Sequence, residues 1–201
     1  GKAQFQALTP TLDMLAVLTT DGAQFSSFER GAKRCFTGRA CAANIARLVP
    51  IALPPEQMVE ALLGRPPILP SKTRTLSWDS DKGAYVVLVG PTLDGRSQKV
   101  WIRPGDFRFV ASVIYRSGQR VASIAYGGHD KIAKLGPPQV MRMKVADNKT
   151  DMSLQLRDVE VNESIEADAF ATGCPAGTVS VTLPCAATSQ ALPPPAGRSL
   201  P

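Results

Sequence analysis

The segment "FRFVASVIYRSGQRVASIAYGG" (residues 107–128) decides the class of fold. Phe107, Phe109, Ala111, Val113 and Tyr115 fall at every second position, and charged residues such as Arg108 and Arg116 take the places between them. That period of two belongs to a strand with one covered face. After Ser117-Gly118 a second run, "QRVASIAYGG", returns along the first. The pattern recurs downstream: Met141, Met143 and Val145 alternate with Arg142 and Lys144, and Met152, Leu154 and Leu156 share one parity. One face of these strands is apolar and the other is wet.

Working outward, "TRTLSWDS" (73–80), "GAYVVLVGP" (83–91) and "RSQKVWIRP" (96–104) precede this hairpin, and "AGTVSVTLP" (176–184) follows it. The order predicts successive antiparallel strands joined by tight turns. Nearer the start, "AQFQALTP", "LDMLAVLTTDG", "AQFSSFERG" and "KRCFTG" supply four more, with Asp21-Gly22 as a hairpin turn. Helical spacing interrupts the meander twice. Residues 41–49, "CAANIARLV", place Ala42, Ile45, Leu48 and Val49 inward, and Pro50 stops them. In "EQMVEALLGRPPILP" (56–70), Met58, Val59, Leu62 and Leu63 lie on one side, Gly64 caps the helix and Pro66-Pro67 ends it. The fold class is mostly β, with a sheet of about ten or more antiparallel strands, a number that tends to curl.

Only two short helices are available to cover the apolar face. Two readings follow: an incompletely filled, greasy cavity under the helices, or an ordinary core packed by its own side chains. A chain of 201 residues with 44% hydrophobic content buries one sizeable core. Residues 1–185 therefore read as one domain, and the Pro/Ala-rich segment 186–201 as a disordered tail.

Composition removes several function classes. The formal charge is +6, but the basic residues are scattered and no aromatic ladder accompanies them, so nucleic acid is not an expected partner. No run approaches the roughly 18 apolar residues of a membrane-spanning helix. His129 and Asp130 sit together in "YGGHDKIAKLGPP", where no nucleophile motif accompanies them, and His129 reads as a solvated turn residue. Asp79 and Asp81 read as turn residues too. The cysteine spacing lacks the zinc-finger pattern and no phosphate loop occurs, so the sequence predicts a non-enzyme without metal or cofactor.

Cys35, Cys41, Cys174 and Cys185 fall into two local pairs, which suits an oxidising compartment; buried free thiols are the other reading. Of the three possible connectivities, proximity in sequence favours Cys35 with Cys41 and Cys174 with Cys185.

Several stretches together, "LTTDGAQFSSFERG" (18–31), "EQMVEALLGRPPILP" (56–70), "GQRVASIAYGGHD" (118–130) and "QVMRMKV" (139–145), resemble the LolB-like side of the LolA/LolB family of periplasmic lipoprotein carriers and outer-membrane receptors. The likeness covers roughly residues 1–183 and lacks the family's first helix and first strands, so a segment upstream is expected. The resemblance implies a curved half-barrel whose open side is closed by a helical lid. It implies an apolar cavity for lipoprotein acyl chains, lined by Met58, Val59, Leu62 and Leu63 from the lid and by Val86, Leu88, Phe109, Val113, Met141, Met143, Leu154 and Leu156 from the sheet. Leu12 and Met14, in the hairpin tip "TPTLDM", would contact the membrane. The location implied is the periplasm, at the inner leaflet of the outer membrane, with a periplasmic carrier or envelope complex as a further partner. The cysteine pairs, the Pro/Ala-rich end and the missing beginning depart from the family pattern. The alternative is a filled half-barrel acting as a structural or docking subunit of an envelope assembly.

Overall fold

The structure is a computed structural model that describes residues 2–31, 33–46, 53–129, 136–146, 150–160, 162–166 and 168–185. The expected helical positions 47–49, the Pro50 that would stop them and the tail from Ala186 lie outside the described residues. Twelve strands and two short helices are present among them, as a mostly β chain requires. They divide between two compact units, residues 2–59 with 162–185 and residues 60–160.

In the first unit, β1 (Ala3–Leu8), β2 (Met14–Thr20), β3 (Gln24–Glu29) and β4 (Arg34–Arg39) form consecutive antiparallel pairs. The β2–β3 turn is built as its sequence indicates: the Asp21 carboxylate accepts the backbone N–H groups of Ala23 and Gln24, and Gly22 takes a left-handed φ of 100°. Hydrogen bonds from those two amides hold the Asp21 carboxyl below its ordinary range. The helix expected over 41–49 is described as α1 (Ala42–Ile45), with Ile45 fully buried.

The last strand, β12 (Val179–Leu183), is not the antiparallel successor that the sequence suggests. It returns to the first unit and pairs in parallel with β4, completing a five-stranded sheet ordered β1-β2-β3-β4-β12. Leu183 lies opposite Gly38, where a β-carbon would collide with the Leu183 carbonyl oxygen, so glycine permits the close approach.

This pairing corrects the expected disulfides. Cys35 is joined to Cys174 and Cys41 to Cys185, with Cα–Cα distances of 5.7 and 6.0 Å. Parallel strands bring like ends together: Cys41 and Cys185 each lie two residues beyond the end of their strand. At the other end the chain before β12 folds back, placing Cys174 Sγ 3.6 Å from the hydroxyl of Ser180, the residue opposite Cys35.

The second unit is a seven-stranded antiparallel sheet: β5 (Arg74–Asp79), β6 (Ala84–Val89), β7 (Arg96–Ile102), β8 (Phe109–Arg116), β9 (Gln119–Gly127), β10 (Val140–Val145) and β11 (Thr150–Gln155). Two open sheets thus replace the single one expected, and neither closes into a barrel.

Candidate functional site

Register across the seven-stranded sheet sorts its residues onto two faces, because directly opposed antiparallel residues point the same way. Ser112 lies between Val100 and Ile124, and Ile124 between Ser112 and Met143, which in turn opposes Met152. One step along, Tyr126, Met141 and Leu154 share the same face; at its β6 end Val89 opposes Gln98 and Gln98 opposes Ile114. Val89, Gln98, Val100, Ser112, Ile114, Ile124, Tyr126, Met141 and Met143 are all buried. The expected apolar face therefore exists for Met141, Met143 and Leu154, with Leu156 half-buried just beyond β11.

Other residues expected in the cavity lie elsewhere. Val86 opposes Trp101, which opposes Ala111, and Leu88 and Val113 both oppose Lys99, so these side chains occupy the reverse face. There Val86 packs with Ala84 and Trp101, while Leu88 is 41% exposed. In β8 the alternation read from Phe109, Ala111 and Val113 selected the wrong parity: the deeply buried residues are Ser112 and Ile114. Apolar residues occupy both parities of β8, so spacing alone could not choose. A bulge between Trp101 and Ile102 adds to the ambiguity by setting Phe109 opposite Ile102.

A strap covers the β6–β8 part of the apolar face, and its attachment is specific. α2 (Pro55–Leu62) ends in a Schellman motif, with Arg65 N–H donating to Glu60 O at 2.9 Å and Gly64 N–H to Ala61 O at 3.0 Å. Gly64 has φ 86°, and a β-carbon there would come within 2.9 Å of Pro138. The chain then meets the sheet at β7. Gln98, fully buried, accepts the Leu69 N–H through Oε1 at 2.8 Å and donates through Nε2 to Pro67 O and Ser112 Oγ, each at 2.8 Å. The sequence held no visible sign of this anchor, because a lone glutamine in a strand reads as a solvent-facing residue.

α2 itself is turned from the expected orientation. Pro55, Gln57, Met58 and Ala61 are its buried residues; Val59 and Leu62 are half-buried and Leu63 is 50% exposed. The buried stripe is rotated by about 100°, one residue step, toward the small Ala61 side chain.

Leu63 nonetheless helps to wall a pocket of about 220 Å³, with Gly64, Arg65, Phe107, Arg108, Phe109, His129 and Pro138 also lining it. Two expected cavity residues, Leu63 and Phe109, meet there. Its cationic wall is organised by the loop between β7 and β8. Asp106 accepts both Nε and Nη2 of Arg103, the former at 3.0 Å, and lies 3.4 Å from Arg108 Nε. The hydrogen bonds from Arg103 hold the Asp106 carboxyl well below the usual carboxylate range, followed by the backbone N–H of Arg108. The terminal nitrogens of Arg108 and both ring nitrogens of His129 are buried, so His129 is not the solvated turn residue expected. A second hollow of about 390 Å³, at the opposite end of β9 and β10, is lined by Val121, Ala122, Lys144 and Val145 and contains none of the residues expected to line the cavity.

At the other candidate site, the β1–β2 tip, Leu12 is 76% exposed with a left-handed φ of 65°. Its N–H donates to Thr9 O and Thr9 N–H to Asp13 O, each at 2.9 Å. Met14 is half-buried and paired with Leu8, so Leu12 is the projecting residue of the two candidates. All four cysteines are in disulfides. Asp79, besides ending β5, accepts the Trp101 indole N–H at 2.7 Å.

No family model and no curated protein matches this chain.

Proposed function

We propose that this protein binds the acyl chains of a lipoprotein, or of another lipid, against the buried face of its seven-stranded sheet, and accepts them or passes them on at the outer membrane. The observation that carries this reading is the strap: an apolar sheet face is covered by a segment whose Leu69 N–H and Pro67 carbonyl both bond one buried side chain, Gln98. A cover fastened through a side chain can be exchanged for a ligand. In this reading the sheet is the wall of a half-barrel, and the segment from Glu60 through Leu69 is its lid.

The 220 Å³ pocket is smaller than the roughly 300–1,000 Å³ that houses a drug-sized ligand, so an acyl chain must displace cover as it enters. Lid and ligand compete for one surface, each methylene buried contributing about 0.8 kcal/mol. Met141, Met143 and Met152 suit such exchange, because unbranched thioether side chains repack around different shapes. Transfer then proceeds by hydrophobic affinity, with no bond made or broken. Leu12 supplies an apolar contact for a membrane, and two disulfides suit the periplasm, consistent with the resemblance to the LolA/LolB family.

An environment-sensitive fatty-acid probe tests the reading. Binding is expected at about one probe per chain, and Leu154→Arg, which puts a guanidinium on the apolar face, should abolish it in folded protein. Unchanged binding by a folded Leu154→Arg variant would place the ligand elsewhere.

A docking subunit of an envelope assembly is the second reading, favoured by β5, where Leu76 and Trp78 are exposed on an edge strand. Native mass spectrometry separates the two: a carrier retains lipid or detergent after mild purification, and a filled module retains none.

A further inference from the structure

The apolar face buries a polar group that neither the strap nor its neighbours serve. Tyr126, on β9, is 7% exposed and lies opposite Met141, on the same face as Ile124 and Met143. Its hydroxyl is buried and meets no hydrogen-bond partner among the described residues. Elsewhere on this face, Gln98 and Ser112 are bonded to each other and Gln98 to the strap. Phenylalanine would fill the same space without stranding a donor, and a stranded donor is costly. Burial pushes the phenol above its ordinary range, so the group stays a neutral donor.

We infer that the Tyr126 hydroxyl donates to the carbonyl oxygen of an ester- or amide-linked acyl chain. This rests on the acyl-binding reading and narrows its ligand class, from any hydrocarbon to a chain with an uncharged acceptor near one end. Position supports the assignment. Tyr126 stands one residue before the end of β9 and three residues before His129, a wall of the 220 Å³ pocket, a chain span of at most about 10 Å. A chain entering there would bring its carbonyl to Tyr126 and lay its methylenes over Ile124, Met143 and Met152. The carbonyl accepts one hydrogen bond and no proton is transferred.

The test compares two fluorescent polyene probes of equal length, a fatty-acid methyl ester and a plain hydrocarbon, on the full chain. Tyr126→Phe should weaken ester binding roughly 3- to 10-fold, the worth of one hydrogen bond, leave hydrocarbon binding unchanged, and leave the ligand-free melting temperature equal or higher. In the wild type, the carbonyl stretch of a ¹³C-labelled bound ester should fall below its position in an apolar solvent, a readout that needs no variant. An unshifted carbonyl band, or equal ester affinity in wild type and variant, would overturn the inference and leave acyl binding intact. Equal losses for both probes with a lower melting temperature would make Tyr126 a packing residue and also overturn it. A wild type that binds neither probe would overturn the acyl-binding reading, and this inference with it.

Discussion

Leu12 is where the proposed membrane docking can be tested apart from the proposed acyl binding. It stands 76% exposed on a turn whose own backbone and threonine hydrogen bonds fix it in place, so its side chain contributes little to the fold. In a bilayer, burying it would contribute roughly 1–2 kcal/mol, which a glutamate would forfeit while being repelled by anionic lipid. Leu12→Glu should therefore weaken association with anionic liposomes about 5- to 30-fold while leaving thermal stability and acyl-probe affinity unchanged. Flotation of the variant with liposomes at wild-type levels would remove the membrane role from this tip. The hairpin was legible from Pro10 and the flanking alternation. Which of Leu12 and Met14 projects was not, because that depends on the left-handed φ at Leu12 and the irregular register between Ala7 and Leu8. Gly64 was fully legible, since a glycine before two prolines has few roles other than ending a helix. Gln98 and Tyr126 were invisible for the opposite reason: their significance lies in what faces them across the sheet.

At the scale of elements, local signals performed well and long-range pairing did not announce itself. The first eleven strands follow runs visible in alternation and turn residues, and their register is set by neighbours only a hairpin away. β12 is equally visible as a strand, yet its partner β4 lies some 140 residues earlier, as the disulfide separations of 139 and 144 record. Proximity in sequence favoured the wrong disulfides because chain separation says nothing about which strand ends a sheet brings together. The observed pairs also constrain the unfolded chain more than local pairs would. On a loop-entropy basis, closing the long loop contributes about 5 kcal/mol, and the second bond, closing the small ring left within it, about 3 kcal/mol. Non-reducing peptide mapping of oxidised protein should recover Cys35 with Cys174 and Cys41 with Cys185. Recovery of Cys35 with Cys41 would contradict the parallel β4–β12 pair itself, since that ladder is what aligns the observed partners. Reduction should lower the melting temperature and release β12, seen as faster amide exchange from Val179 to Leu183.

For the whole molecule, the mostly β class was legible and the division into two sheets was not. Nothing local distinguishes a turn between neighbouring strands of one sheet from a connection that starts another; the stretch between β4 and β5 holds both helices and could have served either. The expected cavity residues likewise split between two faces, because alternation gives the spacing of a strand's faces without saying which one the rest of the chain covers. What the structure adds is a cover with a defined fastening, and the functional account stands on that fastening coming undone. Amide hydrogen exchange on the full chain, with and without a fatty-acid methyl ester, measures this directly at Leu69, whose N–H is held by Gln98. The account predicts that ligand speeds exchange at Leu69 while slowing it in β9 and β10, as the strap leaves and the acyl chain takes its place. Unchanged exchange at Leu69 when bound ester is present would contradict the exchange of lid for ligand.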